Sequence, residues 1–260
     1  TRKHWFEPRS LNDIQETKCL LSNDTSLGIG YAPFSKLEQF VLDIERKLNG
    51  NEFKKNNPWI GSDIKIMAFR NGDTFDITLC IPQISAFVLD VGQYKNNLAY
   101  SRIIIENIAK KLGIGALNIN INTRDNFENS ELYLTVIGSS IESGDEGLVG
   151  RGNRINGLIT PMRPMSMEGA AGKNPVYHIG KIYYVTAQKI SEKIYARFNV
   201  SNEIMIASQS GRELLDPWVM VVRIPESFVK TKDLELLIKH EIKNIPHITE
   251  ALIQRKITVY

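Results

Sequence analysis

The hydrophobic pattern is most regular between residues 35 and 49, where apolar side chains recur every three or four positions. This period predicts an amphipathic helix with one face in the core. Ser35 can cap its first turn, and Glu38, three residues later, completes a capping box. Gly50 is suited to end the helix, because glycine readily adopts the left-handed conformation found at helix ends.

Two strands are predicted after this helix, at 63–69 and 74–81, with Asn71-Gly72 between them. This dipeptide favours a tight hairpin turn between antiparallel strands. In the second strand apolar residues alternate with polar ones, which predicts one buried and one solvated face. The apolar positions are Phe75, Ile77, Leu79 and Ile81.

A mixture of helices and strands continues to the end of the chain. The hairpin is followed by a long helix at 91–112 and by strands near 116–122 and 131–138. A shorter pattern of the same kind follows, with a helix at 181–196, strands near 203–208 and 218–224, and helical stretches within 231–255. This order predicts an α+β fold, with helices on one face of mostly antiparallel sheets.

Residues 141–180 separate the two patterns. They contain eight of the 18 glycines and three of the six methionines, with little periodicity. A long stretch of this kind is usually functional or disordered. Disorder comes with low hydrophobicity, whereas this stretch contains Leu148, Ile155, Leu158 and Ile159. We therefore interpret it as a loop that wraps around a ligand.

Two glycine-rich segments within this loop indicate phosphate binding. Residues 144–154 read Gly-Asp-Glu-Gly-Leu-Val-Gly-Arg-Gly-Asn-Arg, and such glycine spacing lets backbone N–H groups approach an anion. Arg151 and Arg154 add forked donors that match phosphate oxygens. A glycine-rich surface turn is the alternative. Residues 168–174 resemble a phosphate-binding loop, but Met167 stands where a Walker A motif needs glycine.

Composition narrows the class of protein. Of 260 residues, 23% are charged and 42% hydrophobic, as in ordinary soluble globular proteins. A formal net charge of +3 is too small to argue for a nucleic-acid partner. No apolar run reaches the roughly 18 residues of a membrane span, so we expect no membrane association. Cys19 and Cys80 do not make a disulfide framework, and we expect a cytoplasmic protein.

Four segments resemble archaeal-type S-adenosylmethionine synthetases, also called methionine adenosyltransferases. The most specific is 144–183, GDEGLVGRGNRINGLITPMRPMSMEGAAGKNPVYHIGKIY. The others are 21–33, 62–67 and 208–217. The resemblance extends over residues 21–260 and implies the family's fold of repeated sheet-and-helix layers.

The resemblance implies a transferase that forms S-adenosylmethionine from ATP and L-methionine and releases pyrophosphate and phosphate. The methionine sulfur would attack C5′ of ATP, so the protein mainly aligns the reactants and stabilises the tripolyphosphate leaving group. By motif position, Lys65, Arg151 and Lys173 would hold the tripolyphosphate, and Asp145 and Asp24 would contact methionine or the sulfonium. Further substrate-binding candidates are Asn153, Arg154, Asn174 and His178.

Without the family, several of these residues have an ordinary structural role as the alternative. Lys65 can be a solvated strand residue and Asp24 a turn residue. His178 can be a packed residue at a helix start.

The resemblance also implies Mg²⁺ and K⁺ as cofactors, and a homodimer or homotetramer with active sites at subunit interfaces. It divides the chain into a linker and first active-site segment (1–34), an α+β domain (35–140), a glycine-rich active-site loop (141–180) and a C-terminal α+β domain (181–260). The family's first domain, with its Gly-His-Pro-Asp motif, has no counterpart in these residues. This leaves open a non-catalytic or fragmentary paralogue that binds nucleotide or regulates a complete enzyme.

Overall fold

The computed structural model describes residues 21–139 and 154–259. They form two compact units, one of residues 21–33 and 154–259 and the other of residues 34–139. No helix in these two ranges is both long and apolar enough to cross a membrane. In chain order the elements are β1 (Ser26–Ala32), α1 (Lys36–Leu48), α2 (Asn51–Asn56), β2 (Lys65–Asn71), β3 (Thr74–Cys80), β4 (Gln83–Ile84), a 3-10 turn (Ser85–Phe87), α3 (Val91–Lys111), β5 (Ala116–Ile121), β6 (Leu134–Thr135), α4 (Ile179–Phe198), β7 (Asn202–Ser208), β8 (Val219–Arg223), α5 (Thr231–Lys243) and α6 (Ile245–Ile253).

The first unit is built on an antiparallel sheet in the order β1-β7-β8. Ser26 pairs with Ser208 and Ala32 with Asn202, so the sheet joins the start of the described chain to its C-terminal half. α4 packs on β1 and β7, and α5 and α6 pack on α4. The apolar core between these elements is formed largely by isoleucine and leucine side chains.

α4 lies in close contact with the backbone of β1. A Cβ atom on Gly28 would come within 2.3 Å of the backbone carbon of Tyr183, and one on Gly30 within 2.3 Å of that of Ala187. Side chains at these two positions would therefore push the helix off the strand. The contact leaves α4 buried on nearly all sides over its first ten residues, as expected for a helix inside a core.

The second unit contains a mixed sheet in the order β2-β3-β5. β2 and β3 are antiparallel, whereas β3 and β5 are parallel. Apolar side chains of α1 and α3 pack against one another and against the buried face of β3. The predicted α+β class is confirmed, with one parallel pair in this sheet.

Most predicted elements are confirmed near the expected positions. α1 begins with the predicted capping box, since Ser35 Oγ accepts the Glu38 N–H at 3.2 Å and Glu38 Oε2 accepts the Ser35 N–H at 2.6 Å. Along β3 and the residue that follows it, the four alternating apolar residues from Phe75 to Ile81 are each at most 3% exposed.

Two predicted details differ. Asn71 pairs with Thr74, so the hairpin loop consists of Gly72 and Asp73, and Gly72 adopts the positive φ of 58°. The strand expected near 131–138 is reduced to two residues. One reason is that the Tyr133 N–H donates to the side chain of Asp125 rather than to a neighbouring strand.

Candidate functional site

Two of the predicted residues shape the start of α4. The Asn174 side-chain oxygen accepts the Val176 N–H at 2.8 Å, and the Asn174 carbonyl accepts the His178 N–H at 3.1 Å. His178 then caps the helix, because its Nδ1 accepts the Gly180 N–H at 3.2 Å. Asn174 and His178 thus fix the turn that carries the loop 154–178 into the helix.

Lys173 is connected to β1 through Glu168. The Lys173 ammonium forms an ion pair with Glu168, whose Oε2 accepts the Ser26 hydroxyl at 2.8 Å. The Glu168 side chain lies over Gly180, where an added Cβ would come within 2.4 Å of its Cγ. A carboxylate is therefore held at the N-terminal end of α4, which the helix dipole favours.

Lys181, in the first turn of α4, adds a second ammonium group to this cluster. Its side chain is buried, with 7% exposed, and no ion pair of Lys181 lies within the described residues. Burial, and then the positive charge of Lys173, lower the pKa of Lys181. A buried cation next to another cation is unfavourable unless an anion is bound there.

The pKa values of the neighbouring groups describe the same electropositive cluster. Burial lowers the pKa of Lys173, and the negative charge of Asp24 partly opposes this shift. Burial and then the charge of Lys173 lower the pKa of His178, again opposed in part by Asp24. Lys173, His178, Lys181 and Asp24 are therefore close enough to interact electrostatically.

Asp24 belongs to a loop that two of the matched segments build together. Its Oδ1 accepts the Thr25 N–H at 2.7 Å, which shapes the turn before β1. Ser22 donates its N–H to the Arg212 carbonyl at 2.7 Å, and its own carbonyl accepts the Gly211 N–H at 2.8 Å. Segments 21–33 and 208–217, far apart in sequence, thus support each other beside the cluster.

Arg154 is buried in the same unit, with 4% exposed. Its N–H donates to the Leu158 carbonyl at 2.9 Å and closes a tight turn. Burial raises the pKa of Tyr184 to about 12, and the positive charge of Arg154 partly opposes this rise. The guanidinium therefore lies near the same end of α4, beside Tyr184.

The remaining predicted residues lie elsewhere. Lys65 belongs to the second unit, at the start of β2, where its ammonium contacts Asp63 Oδ2 at 2.8 Å and its side chain is 46% exposed. Arg151, Asp145 and Asn153 lie outside the described residues.

Sequence reasoning missed Lys181, Glu168 and Ser26. Lys181 stands inside the matched segment 144–183, where its position three residues after His178 places it one helical turn from the cap. A lysine within an otherwise apolar helix start, Ile-Gly-Lys-Ile-Tyr-Tyr, was the signal that could have identified it. The contact of Ser26 with Glu168 spans 142 positions and leaves no such local signal.

The described part of the chain contains no group of three or more histidine, cysteine, aspartate or glutamate side chains placed to hold a metal ion. Asp24 is the one predicted carboxylate beside the cations of the cluster. Lys173 and Lys181 bring two ammonium groups together at the N-terminal end of α4, an arrangement that suits an anion.

Comparison with known proteins gives a family match over most of the chain. The family model described as S-adenosylmethionine synthetase (AdoMet synthetase) matches residues 8–256. The S-adenosylmethionine synthase of Hyperthermus butylicus is 39% identical over 250 residues, covering 92% of this chain and 61% of that protein. The synthase of Pyrococcus furiosus is 40% identical over 255 residues, covering 96% of this chain and 64% of that protein.

A solved structure, an unusual S-adenosylmethionine synthetase from Campylobacter jejuni, shares the fold with a TM-score of 0.58 at 13% identity. The match covers 90% of this chain and 66% of the Campylobacter jejuni chain. The chain thus spans less than two thirds of the proteins it matches. The family model and the relatives at about 40% identity, both extending over nearly all of these residues, make the chain a member of the S-adenosylmethionine synthetase family.

Proposed function

We propose that this chain is a methionine adenosyltransferase, or the part of one that holds the tripolyphosphate, which forms S-adenosylmethionine from ATP and L-methionine. The observation that carries the proposal is the cluster at the start of α4. Two partly desolvated ammonium groups, Lys173 and Lys181, lie there beside a helix N-terminus, which is itself an anion-binding element.

The protein takes little covalent part in the reaction. The thioether sulfur of methionine forms a bond to C5′ of ATP, the C5′–O5′ bond breaks, and its electron pair remains on the tripolyphosphate oxygen. No general base is needed, because the thioether carries no proton to be removed. Cations at the tripolyphosphate stabilise the charge that develops on the leaving group. Hydrolysis of tripolyphosphate to pyrophosphate and phosphate would then complete the reaction.

Residue roles follow from these requirements. We assign Lys65, Arg151 and Lys173 to the tripolyphosphate and add Lys181 from the geometry of the cluster. Lysines act on phosphate as point charges, and arginine acts as a fork.

The other predicted residues keep their proposed roles. Asp24 and Asp145 would contact methionine or the sulfonium. The further candidates for substrate binding remain Asn153, Arg154, Asn174 and His178.

Mg²⁺ and K⁺ remain the proposed cofactors of the active protein, and Mg²⁺ would supply further positive charge to the phosphates. Two carboxylates lie beside the cations, those of Asp24 and Glu168, and Glu168 is paired with Lys173. Mg²⁺ bound to substrate phosphates would need only one or two carboxylates, with water molecules completing its ligands.

We propose a homodimer or homotetramer with active sites at subunit interfaces. Supporting this, Met67 and Phe69 are 75% and 64% exposed on β2 and point to the same side of the strand as Lys65. Light scattering of the purified chain gives its oligomeric state, and a monomer at micromolar concentration would contradict this part of the proposal.

The test combines turnover with ligand binding. S-adenosylmethionine formation is measured with ATP, methionine, Mg²⁺ and K⁺, and tripolyphosphate binding is measured by calorimetry. Lys173→Met and Lys181→Met should each weaken tripolyphosphate binding by roughly 10- to 100-fold, the value of one charge-assisted contact of about 1.5–3 kcal/mol. Lys232→Met, an exposed lysine on α5 in the same unit, is the matched control and should bind as the wild type does.

The outcomes separate the two functions that the sequence left open. Turnover together with site-dependent binding supports the transferase. Site-dependent binding without turnover supports a non-catalytic paralogue or a part of a larger enzyme. Tripolyphosphate binding that is unaffected at both lysines refutes the proposed site.

A further inference from the structure

A continuous chain of hydrogen bonds runs through the second unit and ends at Lys65. It starts at Asn122, which adopts a positive φ of 48°. The Asn122 side-chain oxygen accepts the Ile81 N–H, and its side-chain nitrogen donates to the Ile81 carbonyl. The same amide donates to the hydroxyl of Tyr94 at 2.9 Å. Tyr94 is fully buried, and its hydroxyl donates to Asp125 Oδ2 at 2.7 Å.

Tyr133 continues this chain toward the surface. Its N–H donates to Asp125 Oδ1 at 3.0 Å, and its carbonyl accepts the Gln83 N–H at 2.9 Å. Both sides of its backbone are therefore held by buried or partly buried partners. Its hydroxyl, at the other end of a rigid ring, donates to Asp63 Oδ2 at 3.2 Å.

The segment that contains Tyr133 also holds the backbone at Asp63 and at the two residues before it. The N–H groups of Ser62 and Asp63 both donate to the Gly138 carbonyl, at 3.0 and 3.2 Å. Gly61 and Gly138 approach so closely that a Cβ atom on Gly61 would come within 2.6 Å of the Gly138 Cα. Asp63 is thus supported at its backbone by Gly138 and at its carboxylate by Tyr133.

We propose that Tyr133 is a positioning residue that acts on Lys65 through Asp63. This proposal rests on the proposed role of Lys65 in binding tripolyphosphate. The Asp63 oxygen that accepts the Tyr133 hydroxyl is also the oxygen that contacts the Lys65 ammonium, at 2.8 Å. Tyr133 therefore sets the orientation of the carboxylate that directs the lysine.

Such support matters because the Lys65 side chain is nearly half exposed and has four flexible methylene groups. Holding it in one direction opposes the rotamer entropy of a long, flexible side chain. A lysine already directed by Asp63 loses less freedom when it binds an anion, and pre-organisation of this kind raises affinity.

Tyr133→Phe tests the proposal because it removes the hydroxyl and keeps the ring. We expect tripolyphosphate binding to weaken about three- to tenfold in the otherwise wild-type chain. In a chain that already carries Lys65→Met, the same change should have no effect, since Tyr133 acts through the lysine. Tyr100→Phe is the matched control, an exposed tyrosine of α3 in the same unit, and should leave binding unchanged in both backgrounds.

A second measurement reports on Lys65 directly, without a ligand. Nitrogen-15 relaxation of the lysine ammonium groups, with Lys65 assigned by Lys65→Arg, measures how well that group is ordered. We expect greater mobility in Tyr133→Phe and in Asp63→Asn, and no change in Tyr100→Phe.

The two measurements distinguish failure of the proposed function from failure of this inference. If Lys65→Met binds tripolyphosphate as the wild type does, the assigned role of Lys65 is wrong, and the relaxation result alone decides the positioning role. Unchanged ammonium order in Tyr133→Phe would overturn that role. An equal loss of binding with and without Lys65 would also overturn it, because Tyr133 would then support the fold in general.

Discussion

Gly28→Ala measures how far the proposed site depends on the contact between β1 and α4. The substitution adds one methyl group, which would meet the backbone of Tyr183 and Tyr184 at 2.3 Å. Backbone atoms in a helix cannot rotate away as a side chain can. The strand and helix must therefore separate by about 1 Å before ordinary van der Waals contact is restored.

The cost of this separation follows from the packing beneath the helix. Overpacking a core typically costs about 1–3 kcal/mol, and contact with a helix backbone places this case near the upper value. For a unit of this size, a loss of about 3 kcal/mol lowers the melting temperature by roughly 10 °C.

The same movement affects the cluster at the start of α4. It draws the Ser26 hydroxyl away from Glu168 Oε2, to which it donates at 2.8 Å. It also draws Asn23 Oδ1 away from the Ile179 N–H, which it accepts at 3.3 Å. We therefore expect tripolyphosphate binding to weaken together with stability.

Thermal unfolding followed by circular dichroism, with calorimetric titration of tripolyphosphate, provides both readouts. Gly169→Ala is the matched control in the same unit, because a Cβ there meets no atom within 4 Å. Its stability should remain within about 0.5 kcal/mol of the wild type. A Gly28→Ala chain that melts within about 2 °C of the wild type would refute the argument from close packing.

Two further predictions concern the charges around α4. Glu168→Gln keeps an acceptor for Ser26 but removes the charge that pairs with Lys173. Tripolyphosphate should therefore bind about fivefold more tightly, as expected for an ion pair of about 1 kcal/mol. Equal or weaker binding in calorimetric titration would contradict this. Because the pKa of His178 is lowered below its ordinary 6.5, the unfolded chain binds more protons, and stability is lost as pH falls below that value. Asparagine in His178→Asn can still cap α4, and the variant should lose less unfolding free energy between pH 7 and pH 5 than the wild type. If denaturant titrations give the same pH dependence for both, other groups cause the loss of stability.

The features that could be predicted from the sequence are those with local signals. The capping box of Ser35 and Glu38 lies within four residues, and the alternation of Phe75 to Ile81 reflects one buried face. The hairpin turn was displaced by one residue, because the pairing of Asn71 with Thr74 places Gly72 rather than Asn71 in the first loop position. Glycine takes the required positive φ with less strain than asparagine.

The features that could not be predicted depend on distant contacts. The pairing of β1 with β7 joins residues nearly 180 positions apart, and the parallel pairing of β3 with β5 has no local signature. The family resemblance identified Lys173, Asp24 and His178 as candidates. It did not indicate that Lys181 is buried beside them or that Glu168 pairs with Lys173, because both follow from how α4 packs.

The charges at the start of α4 run against the stability of the helix. Helix N-termini favour negative charge, and a cation there costs about 0.3–1 kcal/mol. Nevertheless, the first turn of α4 contains no acidic residue and carries Lys181, with Lys173 beside it. Glu168 offsets this arrangement only in part, since its carboxylate pairs with Lys173, and no ion pair of Lys181 lies within the described residues. A bound polyanion would reverse the balance, because the helix dipole and the two ammonium groups would attract it, and the reduced screening at a partly buried site would strengthen that attraction. The unfavourable charge arrangement of the unliganded chain is thus the physical basis on which tripolyphosphate recognition at this site is inferred.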